Sequence, residues 1–287
     1  MQTLATASMA STYDPSSNLE RALALVEEAA GHGARLLALP EQCLQGYLPS
    51  LTRYDLEHTS YQVANAERLS DGEALHAIAD AARRHDIHVV VGFTERDEWR
   101  PEVLFNSAAL VGPSGILGSY RKVHQPGDEK HIYHPGENFR VFSTPIGRIG
   151  LLICYDLVFP ESTRALALAR ADYLVMPTAW AVADTEVPPE QDRMSEYLTM
   201  FGRIRALENQ SWFISSNMIG TLGDFTYPGL SQIVAPDGAV RASTGASPGL
   251  AVLTADTTAE ATHARTVGYL GYQFLKDHRP QIPADVV

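Results

Sequence analysis

Short apolar runs alternate along the chain with longer segments in which apolar residues recur every three or four positions. The short runs are rich in Val, Ile and Leu and are bounded by turn residues, which is typical of buried strands. We predict such strands at residues 36–39, 87–93, 149–153, 173–176 and 212–216. We predict helices at residues 18–31, 73–85, 161–170 and 193–209. Strands that alternate with helices indicate the α/β class.

Two further pairs of apolar segments predict hairpins. Segments 107–111 and 115–120 flank a Gly-Pro-Ser-Gly turn, and segments 232–235 and 250–253 flank a Pro-Asp-Gly turn. Gly, Pro and Asp each favour tight turns. Hairpins pair antiparallel strands, whereas strand–helix–strand units pair parallel ones, so we expect a mixed sheet.

Length and charge narrow the class of protein. The chain has 287 residues, of which 45% are hydrophobic, and it contains no low-complexity linker that would separate domains. We therefore expect one domain over residues 1–280. The formal net charge of −12 argues against a surface that binds nucleic acid or an anionic membrane, because both require a basic patch.

Cysteine content and the length of the apolar runs bear on location. Cys43 and Cys154 are the two cysteines, and a secreted disulfide scaffold normally has more, so we expect a reducing cytoplasm. A Cys43–Cys154 disulfide is the less favoured alternative. The first residues lack the basic and apolar regions of a signal peptide, and no apolar run approaches the ~20 residues that span a bilayer.

Three side chains with useful chemistry lie just beyond predicted strands. Cys154 follows the run 149–153, Glu41 follows the run 36–39, and Lys122 follows the first predicted hairpin. Open α/β sheets bind ligands at the carboxyl ends of their strands. Taken singly, each residue has an ordinary interpretation as a buried thiol, a loop acid or a solvated cation.

Four sequence blocks around these residues occur in an order that is specific to one superfamily. They are Leu-Ala-Leu-Pro-Glu at 37–41, Tyr-Arg-Lys-Val-His at 120–124, Glu-Lys-His-Ile-Tyr-His-Pro-Gly at 129–136, and Cys-Tyr-Asp-Leu-Val-Phe-Pro-Glu at 154–161. Together they closely resemble the Glu-Lys-Cys blocks of the nitrilase superfamily, whose members hydrolyse carbon–nitrogen bonds of amides, N-carbamoyl compounds and nitriles. The likeness extends from about residue 1 to about residue 280. It implies an α-β-β-α sandwich of two mixed sheets with outer helices.

The resemblance also implies roles for individual residues. Cys154 would be the nucleophile, Glu41 would transfer protons, and Lys122 would stabilise the oxyanion of the tetrahedral intermediate. Glu129 resembles a second glutamate that positions the lysine and the substrate nitrogen, and Asp128 is the alternative if that loop is shifted by one residue. A lysine favours the thiolate and a carboxylate opposes it, so the resting proton can lie on either Cys154 or Glu41.

Four more residues are expected to contact substrate because they lie beside these blocks or just beyond strands. They are Tyr47, Tyr155, Trp180 and Asn217. Their phenol, indole and amide groups suit packing and orientation of a substrate better than covalent chemistry.

The residues after the nucleophile help to choose among reactions. Nitrilases of the superfamily typically have Cys-Trp-Glu, whereas this chain has Cys154-Tyr155-Asp156, which looks like the amidase and ω-amidase-like branches. We therefore expect hydrolysis of a small carboxamide to a carboxylate and ammonia through a thioester. N-carbamoyl hydrolysis is the second candidate and a nitrilase the third. A binding protein on the same fold is the non-enzymatic alternative.

Cofactors and partners follow from the same resemblance. It implies no cofactor, and His124, His131 and His134 lack the spacing and the cysteine pair typical of zinc ligands, so we expect no metal. It implies a homodimer or a larger homo-oligomer whose contact lies near the helices after Cys154 and Trp180. Residues 263–287 resemble a tail that crosses to the partner subunit, and packing on its own protomer is the alternative.

Overall fold

The structure, a computed structural model, describes residues 1–268 and 271–279 of the chain. The strands in this part are β1 (Gln2–Ser8), β2 (Leu36–Ala38), β3 (His88–Arg96), β4 (Leu104–Gly112), β5 (Gly115–Arg121), β6 (Arg140–Thr144), β7 (Gly147–Leu151), β8 (Tyr173–Thr178), β9 (Trp212–Asn217), β10 (Ile219–Leu222), β11 (Phe225–Pro228), β12 (Gln232–Val234), β13 (Val240–Ser243) and β14 (Gly249–Ala255). The helices are α1 (Pro15–Gly31), α2 (Leu56–Asn65), α3 (Glu73–His85), α4 (Glu129–Ile132), α5 (Pro160–Leu168), α6 (Arg193–Asn209), α7 (Thr257–Thr266) and α8 (Phe274–Asp277). None of the described helices has the length and apolar character needed to cross a membrane.

These strands form two six-stranded sheets and a separate hairpin of β10 and β11. The strand order is β14-β1-β2-β3-β4-β5 in the first sheet and β13-β12-β9-β8-β7-β6 in the second. Each sheet combines parallel pairs, such as β1 with β2 and β8 with β9, with antiparallel pairs, such as β3 with β4 and β6 with β7. The prediction of two mixed sheets is confirmed.

The sheets pack face to face because their central strands are apolar on both sides. In the first sheet, Leu36, Ala38 and Val90 lie in the core between the sheets, whereas Leu37 and Val89 lie in the outer core. Helices α1 and α3 cover that outer face, and α5 and α6 cover the second sheet. The continuous apolar runs of the sequence arise from this double burial.

The helices and central strands agree closely with the sequence prediction, but the second predicted hairpin is wrong. Helices α3 and α6 have the predicted bounds. Strand β12 pairs with β13, whereas β14, which contains the apolar segment 250–253, pairs with β1 in the other sheet. Three of the four residues of β13 are exposed. Strand β13 therefore lacks an apolar pattern, so the prediction paired β12 with the more apolar segment 250–253 instead.

The carboxyl ends of β2 and β8 meet at one edge of the sandwich. The N–H of Glu41 donates to the Thr178 carbonyl at 3.4 Å, which joins the loop after β2 to the end of β8. Gly92 in β3 lies against the same loop. Its N–H donates to the Pro40 carbonyl at 3.2 Å, and its carbonyl accepts from the N–H of Leu44 at 3.4 Å. These bonds hold the loop that carries Glu41 against the first sheet.

The predicted C-terminal tail, residues 263–287, lies partly outside the described residues, which omit 269–270 and 280–287. At the start of the tail, the Arg265 guanidinium donates to the carbonyls of Gln210 and Ala171 at 3.0 and 3.1 Å. The start of the tail is therefore bound to its own protomer. A position of the remainder at a subunit interface stays a prediction.

The close approach at Gly92 predicts that a side chain there disturbs the Glu41 loop. An added Cβ would lie 2.3 Å from the Pro40 carbonyl oxygen and 2.6 Å from the Glu41 Cα. We expect Gly92→Ala to lower the free energy of unfolding by about 1–3 kcal/mol, because two backbone segments must move apart. Gly31→Ala is the control, since its Cβ would meet nothing within 4 Å. Calorimetric unfolding checks this, and a Gly92→Ala protein as stable as the parent would contradict the packing argument.

Candidate active site

The thiol of Cys154 lies on a tight turn after β7. This strand ends at Leu151, and a 3-10 helical turn spans Cys154–Val158 before α5 begins at Pro160. Cys154 has a φ of +45°, a conformation that residues with a side chain rarely adopt. Such conformations persist only where surrounding bonds hold them, and they cluster at functional sites. The residue is 7% exposed, so the thiol is nearly buried.

The carboxylate of Asp156 holds this turn. It is fully buried and accepts from the Ile153 N–H at 2.9 Å and from the Tyr120 hydroxyl at 2.7 Å. It is also 3.0 Å from the backbone N–H of His124, which donates to it, and 2.8 Å from the Nδ1 of the same residue. Tyr120 and His124 flank Lys122 in the sequence. One carboxylate therefore ties the turn of the thiol to the segment that carries the lysine.

Glu41 is fully buried just beyond β2, where its two carboxylate oxygens have different partners. Its Oε1 accepts from the Lys122 Nζ at 2.6 Å and from the Asn106 Nδ2 at 2.7 Å. Its Oε2 accepts from the backbone N–H of Ala179 at 2.8 Å, just beyond β8. The carboxylate thus bonds groups that both sheets supply: Asn106 and Lys122 from the first sheet, and Ala179 at the end of β8 from the second.

Lys122 directly follows β5 and is also fully buried. Its backbone N–H donates to the Asn106 carbonyl at 2.8 Å, and its carbonyl accepts from the Gly136 N–H at 2.8 Å. Its ammonium lies 2.6 Å from Glu41 and 2.7 Å from Glu129. Burial opposes the charged form, but the two carboxylates outweigh that effect and hold the pKa of Lys122 above its ordinary value. The buried contacts therefore favour the charged form of the lysine.

Glu129 is the first residue of α4 and is buried beside the lysine. Its Oε1 accepts from the Lys122 Nζ and from the Tyr47 hydroxyl. Burial raises the pKa of Glu129 to about 7 against the opposing effect of Lys122. Asp128 instead lies near the surface, 3.8 Å from the His131 ring. The structure thus brings Glu129, and not the alternative Asp128, to the lysine.

The surroundings of Cys154 favour a neutral thiol. Burial and then the Glu41 carboxylate raise its pKa, whereas Lys122, the Thr178 hydroxyl and the Ala179 N–H act in the opposite direction. The net effect is a pKa above the ordinary value. This direction favours a protonated Cys154 thiol at rest, a point that the sequence left open.

Two of the expected substrate contacts lie beside the charged cluster. Tyr47 is buried with its hydroxyl on Glu129, and its ring centroid is 5.9 Å from the Lys122 Nζ. Trp180 follows Ala179, and its indole N–H donates to the Met194 carbonyl in α6 at 2.8 Å. Both aromatic side chains are therefore fixed by polar bonds at one end.

The other two expected contacts have different surroundings. Tyr155 is half-buried next to the thiol, and its ring packs edge-on against Phe159 with centroids 5.3 Å apart. Asn217 is fully buried, and its amide bonds the backbone N–H and carbonyl of Trp180 and the carbonyl of Gly229 at 2.8 to 3.1 Å. Asn217 thus supports the backbone of Trp180, and a direct contact with substrate stays a prediction.

An apolar cluster that contains Tyr47 connects the charged groups to the β10–β11 hairpin, which contributes Leu222 and Tyr227. Its buried members are Tyr47, Leu48, Leu104, Tyr133, Ala179, Met218, Leu222 and Tyr227. The partly buried Phe225 packs against it, with its ring centroid 6.3 Å from that of Tyr47. We call this group the hairpin cluster. It gives the site an aromatic and aliphatic wall.

Sequence reasoning missed Asn106. This residue is fully buried in β4, and its amide contacts the carboxylates of both Glu41 and Glu129. The available signal was a polar amide directly before the predicted apolar segment 107–111, since a buried amide needs hydrogen-bond partners.

The histidines of residues 124–134 do not converge. His124 bonds Asp156, His131 lies near Asp128, and the His134 ring packs near Phe105 with centroids 6.1 Å apart. In the part of the chain that the structure describes, no group of three or more His, Cys, Asp or Glu side chains could hold a metal ion.

The arrangement brings a thiol, a carboxylate and a fixed cation together in the buried interior. A thiol beside a carboxylate can attack an electrophilic carbon while its proton is transferred. A preorganised ammonium can stabilise negative charge that develops on the substrate. These are the requirements for acyl transfer from a poor electrophile such as an amide.

Comparison with known proteins connects the chain to such enzymes. A family model described as carbon-nitrogen hydrolase matches residues 3–265. A nitrilase of Pyrococcus abyssi is 34% identical over 224 residues, which cover 78% of this chain and 77% of that protein. An omega-amidase of Xenopus tropicalis is 31% identical over 280 residues, which cover 93% of this chain and 88% of that protein.

A solved structure has the same architecture. An amidase of Nesterenkonia sp. AN1 matches with a TM-score of 0.77 and 28% identity, and the match covers 97% of both chains. Further structures of that amidase include an acrylamide adduct at its active-site cysteine and a complex with butyramide.

The bonds of Asp156 predict that its loss impairs the turn of the thiol. Asp156→Ala leaves buried donors of Ile153 and Tyr120 without an acceptor, at a cost of about 1–3 kcal/mol each. We expect a lower melting temperature and slower alkylation of Cys154 by iodoacetamide. Glu161→Ala, which removes an exposed acid from the first turn of α5, is the control. Parent-like melting and alkylation in Asp156→Ala would refute the supporting role.

Proposed function

Since the chain belongs to the carbon–nitrogen hydrolase family, in the amidase-like branch of the nitrilase superfamily, we propose that it hydrolyses a small uncharged carboxamide to a carboxylate and ammonia. The observation that carries this proposal is the buried Lys122 ammonium, shared between Glu41 and Glu129 next to the Cys154 turn. We assign Cys154 as nucleophile, Glu41 as general base and acid, Lys122 as oxyanion stabiliser and Glu129 as the residue that positions Lys122 and the substrate nitrogen.

In the first half-reaction, Glu41 accepts the proton of Cys154 while the sulfur attacks the amide carbon. The oxygen of the tetrahedral intermediate becomes negative, and the Lys122 ammonium and the backbone N–H of Tyr155 stabilise it. Glu41 then gives its proton to the nitrogen, the C–N bond breaks and ammonia leaves. The acyl group remains on Cys154 as a thioester.

In the second half-reaction, Glu41 removes a proton from a water molecule that attacks the thioester carbon. The C–S bond breaks as Glu41 returns this proton to the Cys154 sulfur, and the acid product leaves and ionises to the carboxylate. Glu129 stays bound to Lys122 throughout, so the cation keeps its place while Glu41 cycles between its two protonation states.

The surroundings of the site support an uncharged acyl group. The hairpin cluster is aromatic and aliphatic, and the buried trio has two carboxylates for one ammonium. An anionic acyl group would approach Glu41 and Glu129 in a medium where like charges repel strongly. The butyramide complex of the structurally similar amidase is consistent with a neutral aliphatic amide.

N-carbamoyl compounds and nitriles are the alternatives for the same triad. The block 129–136 resembles that of carbamoylases, and one relative is named a nitrilase. The sequence Cys154-Tyr155-Asp156, which differs from the Cys-Trp-Glu typical of nitrilases, favours the amide. A purely binding role is disfavoured because all four proposed catalytic residues are present and in contact or near one another.

Ammonia release from matched substrates tests the proposal. We expect butyramide to be hydrolysed with kcat/KM at least about tenfold above those of succinamate, butyronitrile and an N-carbamoyl amino acid, a difference of about 1.4 kcal/mol. Cys154→Ala should lower turnover by on the order of 10³-fold or more. Cys43→Ala, which removes the other buried thiol, is the control and should stay near the parent. Preferential turnover of another substrate would reassign the reaction, and a fully active Cys154→Ala would refute the nucleophile.

We further propose a homodimer of single-domain subunits, each domain spanning residues 1–280, in the cytoplasm. The family match over residues 3–265 supports one domain, and the two free thiols suit a reducing compartment. The outer face of α6 supports the dimer, because Tyr197, Met200 and Ile204 are 36%, 41% and 41% exposed on one side of that helix. Met200 and Ile204 line a groove of about 670 Å³.

The α6 face predicts a variant that separates the subunits. We expect Ile204→Asp to shift sedimentation from dimer towards monomer, because a carboxylate would be buried in an apolar contact. Val63→Asp on α2, where the parent side chain is 39% exposed, is the matched control and should sediment like the parent. A dimer that persists in Ile204→Asp would exclude this face as the interface.

A further inference from the structure

We propose that Asn106 is a positioning residue whose side-chain amide couples the Glu41 and Glu129 carboxylates and orients Glu41 towards Cys154. The inference deepens the proposed function and rests on it for the turnover measurement. The reactivity of the thiol provides a test that needs no substrate, so failure of the two proposals can be distinguished.

The position of Asn106 in the fold places it within reach of the Glu41 and Glu129 carboxylates and of the Lys122 backbone. It lies in β4, which pairs with β3 on one side and β5 on the other. Its backbone carbonyl accepts from the N–H of Lys122, and its side chain reaches the loop after β2. One buried residue therefore fixes the backbone of the lysine and the carboxylate of Glu41.

The bonds of the amide have a specific geometry. The Nδ2 of Asn106 donates to the Oε1 of Glu41 at 2.7 Å and to the Oε2 of Glu129 at 3.4 Å. Lys122 donates to the Oε1 of both carboxylates. The carboxylates are thus bridged twice, once by a cation and once by a neutral amide. The neutral bridge adds donors without adding charge.

Asn106 is the second donor to the Oε1 of Glu41, beside Lys122, and restricts the orientation of the carboxylate. This Oε1 is occupied by Lys122 and Asn106, so the carboxylate cannot rotate without breaking two buried bonds. Its Oε2 is left on the backbone N–H of Ala179, a group that also acts on Cys154. Without Asn106, the Oε1 is held by the lysine alone and the orientation of the carboxylate is less restricted.

An ordinary structural role is the competing explanation, because a buried amide in a strand contributes to stability wherever its bonds are made. The two explanations differ in what else should change. A structural role lowers the melting temperature alone. A positioning role also changes the pH dependence of the thiol, since loss of a donor makes the carboxylate pair easier to protonate.

Alkylation of Cys154 by iodoacetamide, followed across pH by mass spectrometry of its peptide, tests the proposal. For Asn106→Leu, which has similar size and no amide, we expect the pH midpoint of alkylation to rise by about half a unit or more. On butyramide we expect kcat to fall by about 10²-fold, with KM within about threefold of the parent value. Ser107→Ala changes the next residue of β4, which is equally buried, and is the control. It should keep the parent pH midpoint of alkylation, with kcat and KM within about twofold of the parent values.

A second variant protects the test against a folding defect. Asn106→Asp preserves shape but places a third carboxylate beside Glu41 and Glu129, so its alkylation midpoint should rise at least as far as that of Asn106→Leu. The proposal is overturned if either folded variant keeps the parent midpoint and the parent kcat. If the parent hydrolyses no carboxamide, the proposed function fails, and the alkylation midpoints alone still decide the role of Asn106.

Discussion

The buried ammonium of Lys122 between two carboxylates is the interaction on which the rest of the site depends. Removal of an ion from water costs several kcal/mol, and Lys122, Glu41 and Glu129 are all fully buried. They are stable only because the two ion pairs are 2.6 and 2.7 Å long and the remaining oxygen positions meet an amide, a phenol and a backbone N–H. These partners come from strand β4, from the loop after β2 and from the end of β8, and thus from both sheets. The buried charges are therefore stable only when the two sheets pack together and bring these partners to the site.

Glycines make this convergence sterically feasible. Gly92 lets the loop of Glu41 lie directly on β3, and Gly136 does the same for the segment of Lys122. An added Cβ at Gly136 would lie 2.1 Å from the Arg121 carbonyl oxygen, while its N–H donates to the Lys122 carbonyl at 2.8 Å. Gly136, the last residue of the third block, thus has a physical role, because it holds the backbone that positions the cation.

The sequence predicted those features that local patterns encode. Central strands buried on both faces read as continuous apolar runs, and α3 and α6 have clear helical spacing, so their bounds agreed. The second sheet did not follow from periodicity and came from the family resemblance alone. Asn106 and Glu41 are 65 positions apart, and no local pattern reports that their side chains bond. The exposed strand β13 carries too little apolar signal to be recognised.

The two carboxylates differ in a way that suits the proposed reaction. Burial alone would lower the pKa of Lys122, and the charge of Glu129 is the strongest of the effects that raise it, followed by that of Glu41. In the proposed reaction, Glu41 loses its negative charge and its attraction for the ammonium when it accepts the thiol proton. Glu129, which is held by Lys122 and Tyr47, remains to balance the cation. In the proposed reaction, Glu129 would therefore be the carboxylate that favours a charged Lys122 at the step in which the oxyanion forms.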